Sequence, residues 1–217
     1  MKQYLLILFF LTGTFLQAQK DIYESPRFDE LSEEHEVLAI VPFITQLKLD
    51  SGQSQNEVKE LAEREGYAVQ DALESYFSRR KKRKKFNVEF QNTENTNALL
   101  LKNNINYDNI DVYTVKELSD ILGVDGIISG NLDLNILLSK GVPTDFNILD
   151  FFSGEANYGR IGIKVSDGQT GKLLWRYENN ITKKTGKNTM ELIDKMMKKA
   201  TRKFPYDREK KRKRKQS

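Results

Sequence analysis

Few residues in this sequence have side chains suited to chemistry, and nearly all of them are carboxylates. Histidine occurs once, at His35 within Glu33-Glu34-His35-Glu36, and cysteine does not occur. A histidine among carboxylates can act as a base or a metal ligand, but in a polar segment it is more often solvated. The common zinc sites and the nucleophilic triads lack their components here. We therefore expect no metal site, no cofactor and a solvated His35.

A second group of carboxylates falls within one stretch of the chain. Acid–base chemistry or magnesium binding by such residues would need no histidine. Carboxylates in solvated turns explain them equally well, so the sequence assigns no catalytic residue and favours a protein that is not an enzyme. A carboxylate-dependent hydrolase stays open as an alternative. The group comprises Asp108, Asp111, Asp120, Asp125 and Asp133.

Three glycines superficially suggest a phosphate-binding loop, at Gly123, Gly126 and Gly130. Such a loop must follow a strand and open a helix. These glycines instead close a predicted helix and lie within a predicted strand. A helix cap and a position of close packing explain them better.

Basic residues are concentrated in two runs. Fourteen of the 35 lysines and arginines lie in these runs. The rest of the chain contains 21 basic and 30 acidic residues, so it carries about nine excess negative charges. The first run is Arg79, Arg80, Lys81, Lys82, Arg83, Lys84 and Lys85, and the second is Arg208, Lys210, Lys211, Arg212, Lys213, Arg214 and Lys215.

Charge at this density binds polyanions through counterion release with little sequence selectivity. Neither run contains the interleaved aromatic residues on which bases stack, so we do not expect nucleic acid as a partner. An anionic membrane surface and envelope proteins are the expected partners. Solvated charge explains the runs equally well.

An irregular segment between residues 138 and 157 contains several large apolar side chains. They either pack onto the sheet, which is the favoured interpretation, or stay exposed as a docking loop. The residues concerned are Phe146, Ile148, Phe151 and Phe152, with Leu149 between them.

The chain begins as secreted proteins do. Lys2 precedes a short apolar core, and Ala18 supplies a small residue at a cleavage site, which predicts a signal peptide over 1–18. The apolar core is about half the length that a membrane-spanning anchor needs. Lipidation requires a cysteine directly after the signal, so the sequence predicts a periplasmic protein that is not a lipoprotein. Residues 19–35 are polar and predict a flexible lead-in.

The elements that must position these residues alternate between strands and helices. A continuous apolar run predicts a buried strand at 37–43, and two capping boxes predict helix starts near residues 54 and 114. Alternation predicts a hairpin over 161–177, and a last helix runs from about residue 189 to 203. The fold class is therefore α/β: one domain over 36–205, a mixed sheet flanked by helices, with a C-terminal β-hairpin and helix. A basic, disordered tail is expected over 206–217.

Four segments, taken in order, resemble a known envelope family. This family includes the curli-secretion protein CsgG, the lipoprotein activators of penicillin-binding proteins and the amino-terminal domain of TolB. The segments are Val37–Phe43, Leu122–Gly130, Asp167–Trp175 and the closing helix with Phe204-Pro205.

The resemblance implies a periplasmic α/β module that docks to other proteins and has no catalytic residues. The curli channel builds its pore from inserted hairpins, whereas residues 132–165 lack two long alternating strands. A subunit of an outer-membrane secretion pore is therefore only an alternative. The partner, the process and the oligomeric state stay open.

Overall fold

A computed structural model describes residues 22–49, 52–81, 86–140, 158–182, 186–200 and 204–206. The predicted signal peptide, the docking loop at 146–152, the basic residues 82–85 and the tail after residue 206 lie outside these ranges. The predictions about them are neither confirmed nor contradicted here.

Strands and helices alternate along the described chain. Two 3-10 turns, Ile110–Val112 and Leu138–Lys140, accompany the main elements. The strands are β1 (Ile22–Glu24), β2 (Val37–Ile40), β3 (Ile44–Leu47), β4 (Glu89–Phe90), β5 (Gly126–Leu134), β6 (Gly159–Asp167) and β7 (Leu173–Ile181). The helices are α1 (Phe28–Leu31), α2 (Gln55–Lys81), α3 (Thr93–Lys102), α4 (Val115–Leu122) and α5 (Thr189–Ala200).

The strands of the described chain form one seven-stranded mixed sheet, which confirms the predicted fold class. Its order is β1-β7-β6-β5-β2-β4, and β3 pairs with the far end of β5. The pairs β4–β2, β2–β5 and β3–β5 are parallel, and β5–β6, β6–β7 and β1–β7 are antiparallel. The sheet is therefore half parallel and half antiparallel, with β5 at the boundary.

Two hydrophobic cores lie on opposite faces of this sheet. Successive residues of a strand point to opposite faces; accordingly Leu38 and Ile40 belong to the larger core, and Ala39 and Val41 to the smaller one. Helices α2 and α5 supply the larger core, and α3 and α4 supply the smaller. The helices therefore cover both faces of the parallel half of the sheet.

Helix α2 is unbroken over 27 residues, although Gly66 lies within it. A Cβ at residue 66 would stand 2.1 Å from the carbonyl oxygen of Phe43. The glycine therefore allows the helix to touch the backbone that follows β2. Close packing, rather than helix propensity, explains this residue.

Two other predicted glycine roles are confirmed. Gly123 is the left-handed C-cap of α4, with φ of 65°, and Thr114 and Glu117 form the predicted capping box at the other end of this helix. Gly130 lies within β5, where a Cβ would stand 2.0 Å from the carbonyl oxygen of Gly162 and 2.3 Å from the Phe43 ring. It is a position of close packing.

The flexible lead-in predicted for residues 19–35 is wrong from residue 22 onward. Strand β1 pairs with β7, so that Ile22 lies opposite Tyr177 and Glu24 opposite Trp175. The side chain of Phe28 in α1 is 5% exposed and belongs to the larger core. Burial of this aromatic ring and pairing with β7 together fix a segment whose polar composition predicts a flexible chain.

Candidate functional site

The only histidine of the sequence is held between two other side chains. The Nε2 atom of His35 lies 2.9 Å from Oδ1 of Asp167, and Nδ1 lies 2.7 Å from the hydroxyl of Tyr206. The side chains of His35 and Asp167 are 6% and 4% exposed. A solvated His35 was predicted, and that prediction is wrong. We refer to His35, Asp167 and Tyr206 as the His35 network.

The environment of Tyr206 keeps its hydroxyl protonated. Burial, and then the charges of Asp167 and Asp125, raise the pKa of Tyr206 far above its ordinary value. In the tautomer of His35 that carries its proton on Nε2, the Nε2–H group donates to Asp167 and the Tyr206 hydroxyl donates to Nδ1. This tautomer satisfies all three side chains.

Asp167 is held in its ionised form. Burial raises the pKa of Asp167, but hydrogen bonds from Thr170 and His35 together outweigh that effect and hold the pKa below its ordinary value. The carboxylate accepts from the Thr170 hydroxyl and from the Thr170 backbone N–H, the latter at 2.8 Å. Asp167 thus fixes the β6–β7 turn as well as His35.

Asp125, one of the predicted candidate carboxylates, has a structural role. Its Oδ2 atom accepts from the backbone N–H groups of Glu36 and Val37, each at 2.8 Å. Its backbone carbonyl also accepts from Gly168 at 2.8 Å. Asp125 therefore joins the start of β2 to the β6–β7 turn and has no geometry that points to acid–base chemistry.

The other candidate carboxylates do not converge. Asp108 pairs with Lys59 at 2.7 Å, and Asp120 pairs with Lys116 of its own helix at 2.9 Å. Asp111 and Asp133 are exposed at separate places. Among the described residues, no three or more His, Asp or Glu side chains are grouped so that they could hold a metal ion.

A cleft of about 540 Å³ lies beside the His35 network. Both ring nitrogens of His35 are occupied within the network, so the imidazole presents neither a free base nor a free ligand atom to the cleft. The walls are largely acidic and include Glu33, Glu34 and Asp120. The arrangement can hold chain segments together. The hydroxyl beside His35 belongs to Tyr206, which is only 3% exposed and does not line this cleft.

The described part of the first basic run packs onto the fold. Arg79 forms an ion pair with Asp194 of α5, and its Nη1 atom lies 3.8 Å from the sulfur of Met190. The guanidinium of Arg80 lies 5.6 Å from the ring centre of Tyr76 and 5.9 Å from that of Phe86. These two arginines therefore fix the end of α2, while the side chains of Lys81–Lys85 lie outside the described residues.

Sequence reasoning missed Asp167 and Tyr206 as partners of His35. Asp167 was interpreted only as part of a turn, and Tyr206 was placed at the start of a tail. The partners lie 132 and 171 residues from His35, so no local pattern signals them. The segment Phe204-Pro205, which marks the end of the last helix, was the nearest available signal.

No described helix is long and apolar enough to cross a membrane. A scan against protein-family models finds no match, and a search of curated proteins finds none either.

Solved structures with a similar chain trace do exist. Lipoprotein GNA1162 from Neisseria meningitidis is 13% identical, with a TM-score of 0.44 over 77% of this chain and 99% of that one. The C-terminal domain of LpoB from Salmonella enterica is 10% identical, with a TM-score of 0.34 over 73% and 94%. The PelC dodecamer from Paraburkholderia phytofirmans is 8% identical, with a TM-score of 0.30 over 75% and 89%.

Two predictions made from the sequence can be compared with these matches. LpoB is a penicillin-binding-protein activator, one of the groups that the sequence resembles, while the resemblance to CsgG and TolB stays a prediction. GNA1162 is a lipoprotein. That property does not pass to this chain, which contains no cysteine, and the absence of lipidation stays a prediction. With identities of 13% or less and TM-scores below 0.5, no activity, partner or residue role passes from these proteins to this chain.

Proposed function

We propose that this chain is an exported interaction module of the bacterial envelope. It assists envelope assembly or secretion by binding other envelope proteins and carries out no reaction itself. The segment over 1–18 supports export, because it has the charge, the short apolar core and the small exit residue of a secretory signal.

The observation that carries this proposal is the His35 network. The side chain best suited to general-base chemistry lies with both ring nitrogens engaged, between the β6–β7 turn and Tyr206. Asp125 is likewise engaged by the backbone of β2. The residues that could do chemistry are used to hold the fold together, which favours a binding role over catalysis.

The proposal is tested by affinity purification of the tagged protein from crosslinked native envelopes. A second strain carries the same tag on a chain that lacks residues 207–217, and an untagged strain is the control. We expect one envelope protein or complex to be enriched with the full chain and absent from the untagged control. If no envelope protein is enriched with either chain, the interaction module is wrong.

The same samples separate a docking role of the folded domain from one of the tail. Enrichment that survives removal of 207–217 assigns the contact to the domain, whereas its loss assigns the contact to the tail. A cytoplasmic location of the tagged chain by cell fractionation would contradict export.

A further inference from the structure

The cleft beside the His35 network is lined almost entirely by polar residues. It lies between the segment that precedes β2, helix α4 and the β6–β7 turn, with a volume of about 540 Å³. Leu31 and Val124 are the only apolar side chains among the described residues that line it. Clefts that bind drug-like small molecules are lined mainly by apolar side chains, so this lining favours a charged ligand. We refer to this cleft as the acidic cleft.

Two carboxylates of the acidic cleft are available to a ligand. Glu33 and Glu34 are exposed, and neither side chain has a partner among the described residues. Glu30 and Asp120 also line the cleft but already have basic partners. Lys116 is the only lysine or arginine among the described lining residues, and it pairs with Asp120. The described walls therefore carry uncompensated negative charge, which attracts a cation.

A buried hydroxyl in the wall of the acidic cleft has no hydrogen-bond partner. Ser119 is 3% exposed, and its Oγ atom bonds to none of the described residues. The hydroxyl lies against the β6–β7 turn, where a Cβ at Gly168 would stand 2.4 Å from Oγ. A buried hydroxyl without a partner costs free energy, and an N–H group of a ligand would satisfy it. Ser119 is therefore an independent sign that the cleft receives a hydrogen-bond donor.

The C-terminal end of α4 adds to the preference for a cation. Ser119 begins the last turn of this helix, and Val124, which follows the C-cap, also lines the cleft. The C-terminal end of a helix carries about half a negative charge, which favours cations. The last turn of α4 contains no basic residue. A positive group in the cleft would therefore be stabilised by the helix as well as by the two carboxylates.

We propose that the acidic cleft binds a segment of an envelope protein that carries lysine or arginine. The proposal rests on the proposed function and names the chemistry of the partner. Both side chains present N–H donors on a cation, and Glu33, Glu34 and Ser119 can accept from them. The partner supplies this cation, because Tyr206, the last described residue before the chain's own basic tail, lines a neighbouring cleft and not this one.

The test is a fluorescence-anisotropy titration of the purified protein with a labelled hexa-arginine peptide. One variant removes both available carboxylates by Glu33→Gln and Glu34→Gln. Its control, Glu60→Gln with Glu94→Gln, changes the net charge by the same amount at exposed positions that do not line the cleft. A third variant, Ser119→Ala, removes the unpartnered hydroxyl.

A defined site and a diffuse negative field predict different results for the two double variants. Loss of two exposed ion pairs should weaken peptide binding about tenfold in the variant at residues 33 and 34. The control at residues 60 and 94 should change it by less than about twofold, because only the overall charge differs. Equal losses in both would show that the peptide responds to overall charge, and the site would be wrong.

The variant Ser119→Ala separates ligand binding from a structural role. We expect peptide binding to weaken about tenfold, because a hydrogen bond to a charged donor is lost. The thermal unfolding midpoint should stay the same or rise, because the hydroxyl makes no described hydrogen bond in the free protein. Normal peptide binding, or a lower midpoint, would refute the role assigned to Ser119.

The source of the cation is tested with a chain that lacks residues 207–217. We expect this chain to bind the peptide as tightly as the full chain does, because the cleft is open to a partner in both. Binding that becomes several-fold tighter without these residues would assign the cleft to the chain's own tail. That result would overturn the assignment to a partner.

Capture from crosslinked envelopes connects the acidic cleft to the proposed function. We expect the variant at residues 33 and 34 to lose the enriched envelope protein and the control at residues 60 and 94 to retain it. Retention by both would overturn the role of the cleft while the interaction module stands. If the peptide binds as expected but no envelope protein is captured, it is the interaction module that fails.

Discussion

The two faces of the sheet are stabilised in different ways. The larger core contains residues from both ends of the described chain, from Phe28 to Phe204 and Tyr206. The smaller core is built from residues 39 to 127 alone, and its helix α4 is closed at both ends by caps. One face joins segments from both ends of the described chain, and the other joins β2 to residues between 100 and 127.

The contrast between the two cores explains why the His35 network lies beside the larger one. The His35 network contains Tyr206, which follows Phe204 of the larger core by two residues, and the backbone N–H of Asn87 donates to the Tyr206 carbonyl. The larger core therefore decides which distant segments meet, while the smaller core supports the parallel half of the sheet. Four substitutions test this contrast.

The largest effect is expected for Phe204→Ala. The Phe204 ring is 1% exposed and lies between the rings of Phe77 and Trp175, each at 5.4 Å between centroids. Loss of a buried phenyl ring costs about 3–5 kcal/mol of unfolding free energy. Urea unfolding measures it, with Leu101→Ala at a 64% exposed position as the control. A loss below about 1 kcal/mol would show that the C-terminal segment does not hold the larger core.

The next largest effect is expected for Gly66→Ala, where helix propensity favours alanine and a steric clash opposes it. Alanine in a helix is favoured over glycine by about 1 kcal/mol. The added Cβ would stand 2.1 Å from the carbonyl oxygen of Phe43, which is backbone and cannot rotate away. We expect a net loss of about 1–3 kcal/mol in urea unfolding. The control Ser78→Ala, at an exposed position of the same helix, should be neutral or slightly stabilising, and a stabilising Gly66→Ala would refute the close contact.

Asp167→Asn should weaken the protein in a pH-dependent way. The pKa of Asp167 is held below its ordinary value of about 3.9, so its carboxylate stabilises the fold above that pH and the contribution is lost as the pH falls through the folded-state pKa. We expect the unfolding free energy to fall by about 1.5–3 kcal/mol at neutral pH, and the difference between wild type and variant to become smaller in acid.

Thermal unfolding of wild type and variant from pH 7 down to about pH 2 measures this narrowing, because the range must extend below the folded-state pKa of Asp167. Asp120→Asn is the control, because its carboxylate is 64% exposed and pairs only within its own helix. If the difference in stability between wild type and Asp167→Asn stayed constant with pH, the charge of Asp167 would not stabilise the His35 network.

The smallest effect belongs to the smaller core, at Thr114→Ala. The Thr114 side chain accepts from the Glu117 backbone N–H as the N-cap of α4. Loss of such a cap costs about 1 kcal/mol. Thr114→Ser keeps the hydroxyl and should restore most of the stability in the same urea assay. A loss as large as that of Phe204→Ala would remove the contrast between the two faces.

Much of the fold could be predicted because its signals are local. The capping box at Thr114 and the C-cap at Gly123 define α4 as Val115–Leu122. The strand predicted over 37–43 is present but shorter: β2 stops at Ile40, before Pro42, and β3 begins at Ile44. These features join residues three or four positions apart or fix the conformation of a single residue, so composition and spacing are enough to identify them.

The segment before β2 shows where local signals fail. Its polar composition predicts a lead-in without structure, yet β1 and Phe28 are held by β7 and by the larger core. Burial of one ring and three ladder positions outweigh a composition that is unfavourable on average.

The sequence by itself determined helix α4, the β6–β7 hairpin and the segregation of charge into two basic runs, because each depends on neighbouring residues, while the export signal stays a prediction. Only the tertiary structure decided that His35 is buried between Asp167 and Tyr206, and that Phe86 meets Phe204. These contacts join residues more than a hundred positions apart, and their stability comes from a common core rather than from any local pattern.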